Sequence, residues 1–416
     1  MTETNFKHTD LGLIPHDWEV KTIGDIAEYR RGSFPQPYGL PEWYGGVDAM
    51  PFVQVADVGD DFRLNQTTKQ TISKKAQEYS VFVPKNSVLV TLQGSIGRVA
   101  ITQYDSYVDR TLAIFQHYNI PMANNYFAHQ LSKKFAIERE KAPGGIIKTI
   151  TKEAFTEFEL PLPPTIAEQE RIAGALSSID NLISALTEQI EKKRHIKQGA
   201  MQQLLTGKKR LAGFTGEWKS VKLGELCQLF GRIGFRGYTK NDLVEKGMGA
   251  ITFSPSDIHD QKIDYSHCDY ISFHKYEESP EIKVFNGDII FGKTASIGKC
   301  AIIDKLEEKA TINPQFVVLK KFKCNNYFLY YKLIDKPFQT QVLAICGGST
   351  IPTMSQEKLK EQELLFPPTI AEQSAIAAVL SGMDAEIAAL EQKRDKYIAI
   401  KSGMMQDLLT GKIRLV

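Results

Sequence analysis

No two cysteines stand at C-x-x-C spacing: Cys227, Cys268, Cys300, Cys324 and Cys346 are scattered through the second half of the chain. This argues against a disulfide framework and fits reduced, buried thiols of a cytosolic protein. No apolar run approaches the roughly 18 residues of a membrane span, and the opening MTETNFKHTDLG lacks a signal pattern, so the expected location is the cytoplasm. An excess of charge is also missing. The 51 Lys and Arg meet 49 Asp and Glu for a net charge of +2, so any basic surface that meets nucleic acid must be local. Low complexity is absent too. At 42% hydrophobic and 24% charged the composition is that of a globular protein, and 416 residues suffice for several domains, each with its own core.

What the chain does contain is a repeat of itself. The stretch from Pro163 to Leu211 aligns without a gap to that from Pro367 to Leu415, with 28 of the 49 pairs identical. Each copy opens on Pro-Pro and a Thr-x-x-Glu capping box, Thr165 with Glu168 and Thr369 with Glu372. Each closes on Leu-Leu-Thr-Gly-Lys, where Gly207 and Gly411 suit the left-handed residue that ends a helix and Lys208 and Lys412 favour its negative end. Between the caps, Ile172, Leu176, Ile179, Ile183, Leu186 and Ile190 step by four and three, and Ile376, Leu380, Met383, Ile387 and Leu390 repeat the step. That is a heptad seam. Roughly 40 residues at 1.5 Å each make a rod of about 60 Å, too long for a helix of a compact core. Two such rods are expected to pair as an antiparallel coiled coil.

The regions ahead of the rods echo each other more faintly. WEVKTIG from Trp18 resembles WKSVKLG from Trp218, and NSVLVTLQGSIGRVAI from Asn86 resembles NGDIIFGKTASIGKCAII from Asn286. Short β-branched and aromatic runs broken by Gly, Pro, Asn and Asp, with helical stretches near 124–142 and 325–343, read as α+β domains. The expected fold is therefore α+β and pseudo-two-fold symmetric. It divides into a globular domain at 1–160, a rod at 161–213, a second globular domain at 214–363 and a second rod at 364–416. Dimeric DNA readers place two recognition elements at a fixed separation, and a chain duplicated in this way is their covalent equivalent. Near-identical rods suit two copies of one partner, and diverged globular domains suit two different ligands.

Pro-Pro followed by Ala-Glu-Gln, the Ile, Leu and Asp positions of the rod, and the closing Leu-Leu-Thr-Gly-Lys-x-Arg-Leu, all occurring twice, closely resemble the conserved regions of type I restriction-modification specificity subunits. The resemblance covers nearly the whole chain. It implies a non-catalytic subunit in which two target recognition domains each read half of a bipartite sequence in double-stranded DNA, with the coiled coil setting the gap. It also implies two adenine methyltransferase subunits and the restriction subunits as partners. No cofactor is then expected in this chain; S-adenosylmethionine and ATP with Mg belong on the partners.

Base edges are read by Arg, Gln and Asn, and phosphates are held by Lys, Arg and backbone amides. On that chemistry the first domain offers Arg30, Arg31, Gln36 and Tyr38 in a turn-rich stretch, then Gln93, Ser95 and Arg98 in a Gly-rich one. The second offers Arg232, Arg236, Tyr238 and Lys240, then Lys293, Thr294 and Lys299. Lys148 and Thr350 follow the Gly-Gly pairs ahead of the rods. Each is equally a solvated or turn residue taken alone, so the expectation rests on the group.

Enzyme motifs are thin. GDIIFGKT from Gly287 satisfies the phosphate-loop pattern, but its interior is apolar and its continuation reads as turn and strand, where a helix is needed. Asn313-Pro314-Gln315-Phe316 lacks the second proline of an adenine methyltransferase loop and reads as a turn before a strand, and Glu281-Ile282-Lys283 is a common triplet in a charged chain. His259, His267, Cys268 and His274 fit no zinc spacing. Two rival readings stay open: a nucleotide-dependent enzyme using Lys293, and a coiled-coil scaffold without a DNA role.

Overall fold

A computed structural model describes residues 5–141, 150–234, 237–346 and 353–415. The chain divides into two compact units, one of residues 1–189 with 390–416, the other of residues 190–389.

The globular part of the first unit stacks two four-stranded sheets. One runs in the order Arg30–Arg31, Leu112–Phe115, Val88–Thr91, Val99–Ile101, antiparallel throughout. The other runs Gln70–Ile72, Met50–Val53, Ser106–Val108, Val81–Val83, and its central pair is parallel. A strand with both faces covered has no polar alternation, and Val88–Thr91 and Leu112–Phe115 are buried at every position. Their side chains still alternate. Val88, Val90, Ala113 and Phe115 enter a core shared with helix Asn124–Lys141 and the rods, while Leu89, Leu112 and Ile114 enter the core between the sheets. The strand pair Glu19–Thr22 and Glu159–Leu162 closes the domain at the point where the first rod departs.

The second unit repeats this plan. Its sheet Gln228–Gly231, Phe316–Lys320, Ile289–Gly292, Cys300–Ile302 again separates two cores: Ile289, Phe291, Val317 and Leu319 face one, Ile290, Phe316 and Val318 the other. Gly249–Phe253 pairs in parallel with Ala310–Ile312, and Lys219–Lys222 pairs with Glu363–Phe366. The helical stretch expected near 325–343 is two helices, Asn326–Ile334 and Lys336–Ala344. Asp335 caps the second of them and Pro337 takes its second position, where proline is tolerated and helix continuity is not.

Each rod is one helix of 39 residues, Ile166–Leu204 and Ile370–Leu408. Thr165 Oγ1 accepts the Glu168 amide at 3.2 Å and Thr369 Oγ1 the Glu372 amide at 3.3 Å. The expected second half of the capping box is replaced. Both oxygens of Glu168 take Arg414 and both of Glu372 take Arg210, in two-pronged, charge-assisted pairs. At the other end Gly207 and Gly411 adopt φ of 70° and 71°, and the six-residue bonds Lys209 N to Gln203 O and Ile413 N to Asp407 O close each helix.

The rods run antiparallel within each unit. In the first, Arg171 reaches the Leu415 carbonyl and Asp180 meets Lys401, so partner numbers fall as residue numbers rise. In the second, Lys193 meets Glu386 and Lys197 meets Asp384. Of the heptad residues, Ile172, Leu176, Ile179, Leu186, Ile190, Ile376, Leu380 and Ile387 are buried, while Ile183, Met383 and Leu390 are half-buried.

Candidate DNA interface

In the first unit three loops converge beyond the central strands. The Leu92 amide donates to the Thr111 carbonyl at 2.8 Å, which ties the 92–98 loop to the turn Asp109-Arg110-Thr111. The Ser33 amide donates to Val108 O at 3.1 Å, which ties the 32–40 loop to the same turn. Asp109 holds the turn in shape: its Oδ1 accepts the Thr111 amide and hydroxyl at 2.9 and 2.6 Å, and its Oδ2 accepts the Tyr38 hydroxyl at 2.7 Å. Burial first, and the Asp109 carboxylate next, push the Tyr38 phenol up, so it stays a donor. The Tyr38 ring stacks on Phe34 at 4.9 Å, and Phe34 packs on Tyr44 and Phe52. Arg110 lies 5.1 Å above the Tyr38 ring with its side chain exposed.

Four of the sequence candidates therefore come together here: Gln36, Tyr38, Gln93 and Ser95 are exposed on the joined loops. Arg30 and Arg31 are exposed on the edge strand, and among the described residues neither guanidinium has a hydrogen-bond or ion-pair partner. Arg98 has an internal task, with Nη1 on the Val58 carbonyl and Nε on Asp60 at 3.1 Å.

The second unit builds the same frame from different side chains. The Lys293 amide donates to Gln315 O, and Asn313 Oδ1 accepts the Gln315 amide at 3.0 Å, as Asp109 does for Thr111. The middle residue of this turn is Pro314. Lys299 takes the place of Arg98, its ammonium on the Pro255 and Ile258 carbonyls. Arg232 is 7% exposed; its Nε and Nη2 donate to Ile312 O, and it packs against the Tyr238 ring. Lys240 is exposed, and Tyr238, Lys293 and Thr294 are half-buried, with Thr294 bridged to Thr353. Burial alone pushes the Lys293 ammonium down. The strand Ile289–Gly292 lies inside the phosphate-loop pattern, and Asn313-Pro314-Gln315-Phe316 is a turn into a strand. Lys148, Arg236 and Thr350 fall outside the described residues. Among the described residues no group of three or more His, Cys, Asp or Glu is placed to hold a metal ion, and no helix is long and apolar enough to cross a membrane.

Sequence reasoning missed Asp109, Arg110 and Thr111. Aligning them with Asn313-Pro314-Gln315 through the repeat was the available signal. It also missed the node where each globular domain meets the rods. Asp180 pairs with Lys401 beside the buried His129, and Asp384 pairs with Lys197 while accepting the Tyr331 hydroxyl at 2.7 Å.

Two equivalent mixed domains, each seated on paired helices and each presenting a loop cluster of its own, define a duplicated specificity architecture. The family model for the type I restriction modification DNA specificity domain matches residues 15–193 and again 215–399, and the chain belongs to this family of type I restriction-modification specificity subunits, which confer DNA sequence specificity. The chain is 25% identical over 439 residues to the type I restriction enzyme MjaVIII specificity subunit of Methanocaldococcus jannaschii, covering 99% of this chain and 97% of that one. To the MjaIX specificity subunit of the same organism it is 30% identical over 193 residues, 45% of this chain and 44% of that one. A solved S subunit from M. genitalium shares the fold with a TM-score of 0.60 at 15% identity, over 98% of this chain and 99% of that one.

Proposed function

We propose that this chain is the sequence-reading, non-catalytic subunit of a type I restriction-modification complex. It reads a bipartite, asymmetric target in double-stranded DNA, one half per globular domain, with the gap set by the rods. The observation that carries this reading is the combination of one frame with two sets of side chains. The turn at 109–111 and the turn at 313–315 are held by the same hydrogen bonds yet carry Arg110 in one unit and Pro314 in the other. A duplicated frame with diverged tips suits two unlike half-sites, since backbone contacts position a protein and side chains at base edges specify sequence.

In this reading the exposed Arg30, Arg31, Gln36, Gln93, Ser95 and Lys240 meet DNA, whereas Arg98, Arg232 and Lys299 brace the frame from inside. Two adenine methyltransferase subunits dock on the repeated rods, and the restriction subunits join them. S-adenosylmethionine, ATP and Mg bind to those partners, and the chain itself works in the cytoplasm without a cofactor. The test is a genome-wide map of methylated adenine in cells that co-express the chain with its methyltransferase partner, compared with the partner alone. A new motif of two unlike halves with a fixed gap is expected; its absence from an assembled complex overturns the proposal.

A further inference from the structure

The Arg110–Tyr38 pair has the properties of a base reader. A side chain that discriminates a base must be exposed, unspent on the protein and held in one orientation, because bidentate recognition fails if the fork wanders. Arg110 meets all three conditions. It is exposed, and among the described residues its guanidinium forms no hydrogen bond or ion pair. The carboxylate next to it in sequence, Asp109, has both oxygens engaged, Oδ1 by Thr111 and Oδ2 by Tyr38. The guanidinium carbon lies 5.1 Å from the centroid of the Tyr38 ring, and that ring is held by stacking on Phe34 and by its hydroxyl's bond to Asp109.

Among the described residues, the other candidate arginines each fail at least one condition. Among the described residues no aromatic ring lies beneath the guanidinium of Arg30 or Arg31, which suits phosphate contact. Arg232 has a platform, Tyr238, but it is buried and donates to the Ile312 carbonyl. In the second unit the position of Arg110 belongs to Pro314, which has no donor at all.

We propose that Arg110 reads a guanine, through its N7 and O6 in the major groove, in the half-site recognised by the first domain. This rests on the DNA-reading function proposed above and adds the residue and the base. The test uses the full chain with its methyltransferase partner and duplexes in which each guanine of the target is replaced, one at a time, by 7-deazaguanine, which lacks the N7 acceptor. The wild-type complex is expected to lose affinity about tenfold at one guanine of one half-site, and Arg110→Ala to be indifferent to that replacement while still sensing changes in the other half-site. In methylation maps Arg110→Ala then relaxes that one position to any base, and Arg110→Lys relaxes it partly.

A wild-type complex insensitive to 7-deazaguanine throughout, or an Arg110→Ala variant that keeps the full motif, overturns the inference and leaves the proposed function standing. A wild-type complex with no bipartite motif overturns the proposed function itself. Should Arg110→Ala fold poorly, Tyr38→Phe, which keeps the platform and frees it from Asp109, is expected to weaken discrimination at the same guanine and at no other position.

Discussion

Arg414 lays its Nε and Nη2 against the two carboxylate oxygens of Glu168, 246 residues earlier in the chain, with Nη2 2.8 Å from Oε2. Arg210 does the same to Glu372, with Nη2 2.7 Å from Oε2. Each pair joins the last residues of one repeat to the first turn of the other. Both glutamates are 1% exposed, so neither carboxylate has water as an alternative partner.

The first prediction concerns this pair. Arg414→Ala strands a buried carboxylate and is expected to cost about 3 to 5 kcal/mol in chemical denaturation of the full chain. Arg414→Met combined with Glu168→Leu is expected to recover most of that loss, because an apolar pair of similar volume carries no desolvation penalty. A double variant as unstable as Arg414→Ala would mean that packing, and not charge, dominates.

The second prediction is a pH dependence. His129 is buried, its Nδ1 has no hydrogen-bond partner among the described residues, and Asp180, 3.7 Å from Nε2, is committed to Lys401. Burial, and then the Lys401 ammonium, push the imidazole from 6.5 down to about 3. The unfolded chain therefore takes up this proton first as the solution is acidified. Stability is fully present above about pH 6.5 and falls by up to about 1.4 kcal/mol per pH unit towards pH 3. His129→Tyr copies Tyr331 of the other unit, places a hydroxyl near Asp180 and is expected to flatten that part of the stability profile. An unchanged slope would assign the acid sensitivity elsewhere.

The third prediction separates conformation from clash at the helix ends. A Cβ at Gly411 would lie 2.5 Å from Pro15 Cγ, whereas one at Gly207 would lie 3.3 Å from Trp218. Both glycines have nearly the same positive φ, so both alanine variants lose about 1 kcal/mol to backbone strain. Only Gly411→Ala is expected to lose clearly more, measured as the difference between the two denaturation midpoints.

The fourth prediction follows from the phosphate contact proposed for the edge strand. Arg30→Ala with Arg31→Ala is expected to weaken binding to every duplex alike and to lower the slope of log affinity against log salt by about 2, with the methylated motif unchanged. A changed motif would make one of them a base reader.

The rods were legible in sequence because their signals are local. Thr165 and Thr369 cap from three residues away, Gly207 and Gly411 end the helices, and the heptad spacing of Ile172 and Leu176 says which side is buried. The partners of Glu168 and Glu372 were not legible, because a capping box and a distant ion pair use the same glutamate. The loop candidates divided for a related reason. Arg98, Lys299 and Arg232 sit among the turn and glycine residues that mark exposed loops, yet their heads turn back to the carbonyls of Val58, Ile258 and Ile312. Arg110 sits in an unremarkable Asp-Arg-Thr turn, and only the fold brings Tyr38, 71 residues earlier than Asp109, to that turn.

The central claim, two readers held apart by paired helices, is tested most directly by lengthening both rods. Seven residues continuing the heptad pattern, inserted after Gln189 and after Lys393 at equivalent positions of the repeat, add about 10 Å to each helix. That is about three base pairs of B-form DNA. The account predicts methylation at the same two half-sites with a gap about three base pairs longer. The original gap retained by a folded, methylating complex, or altered half-sites, would contradict it.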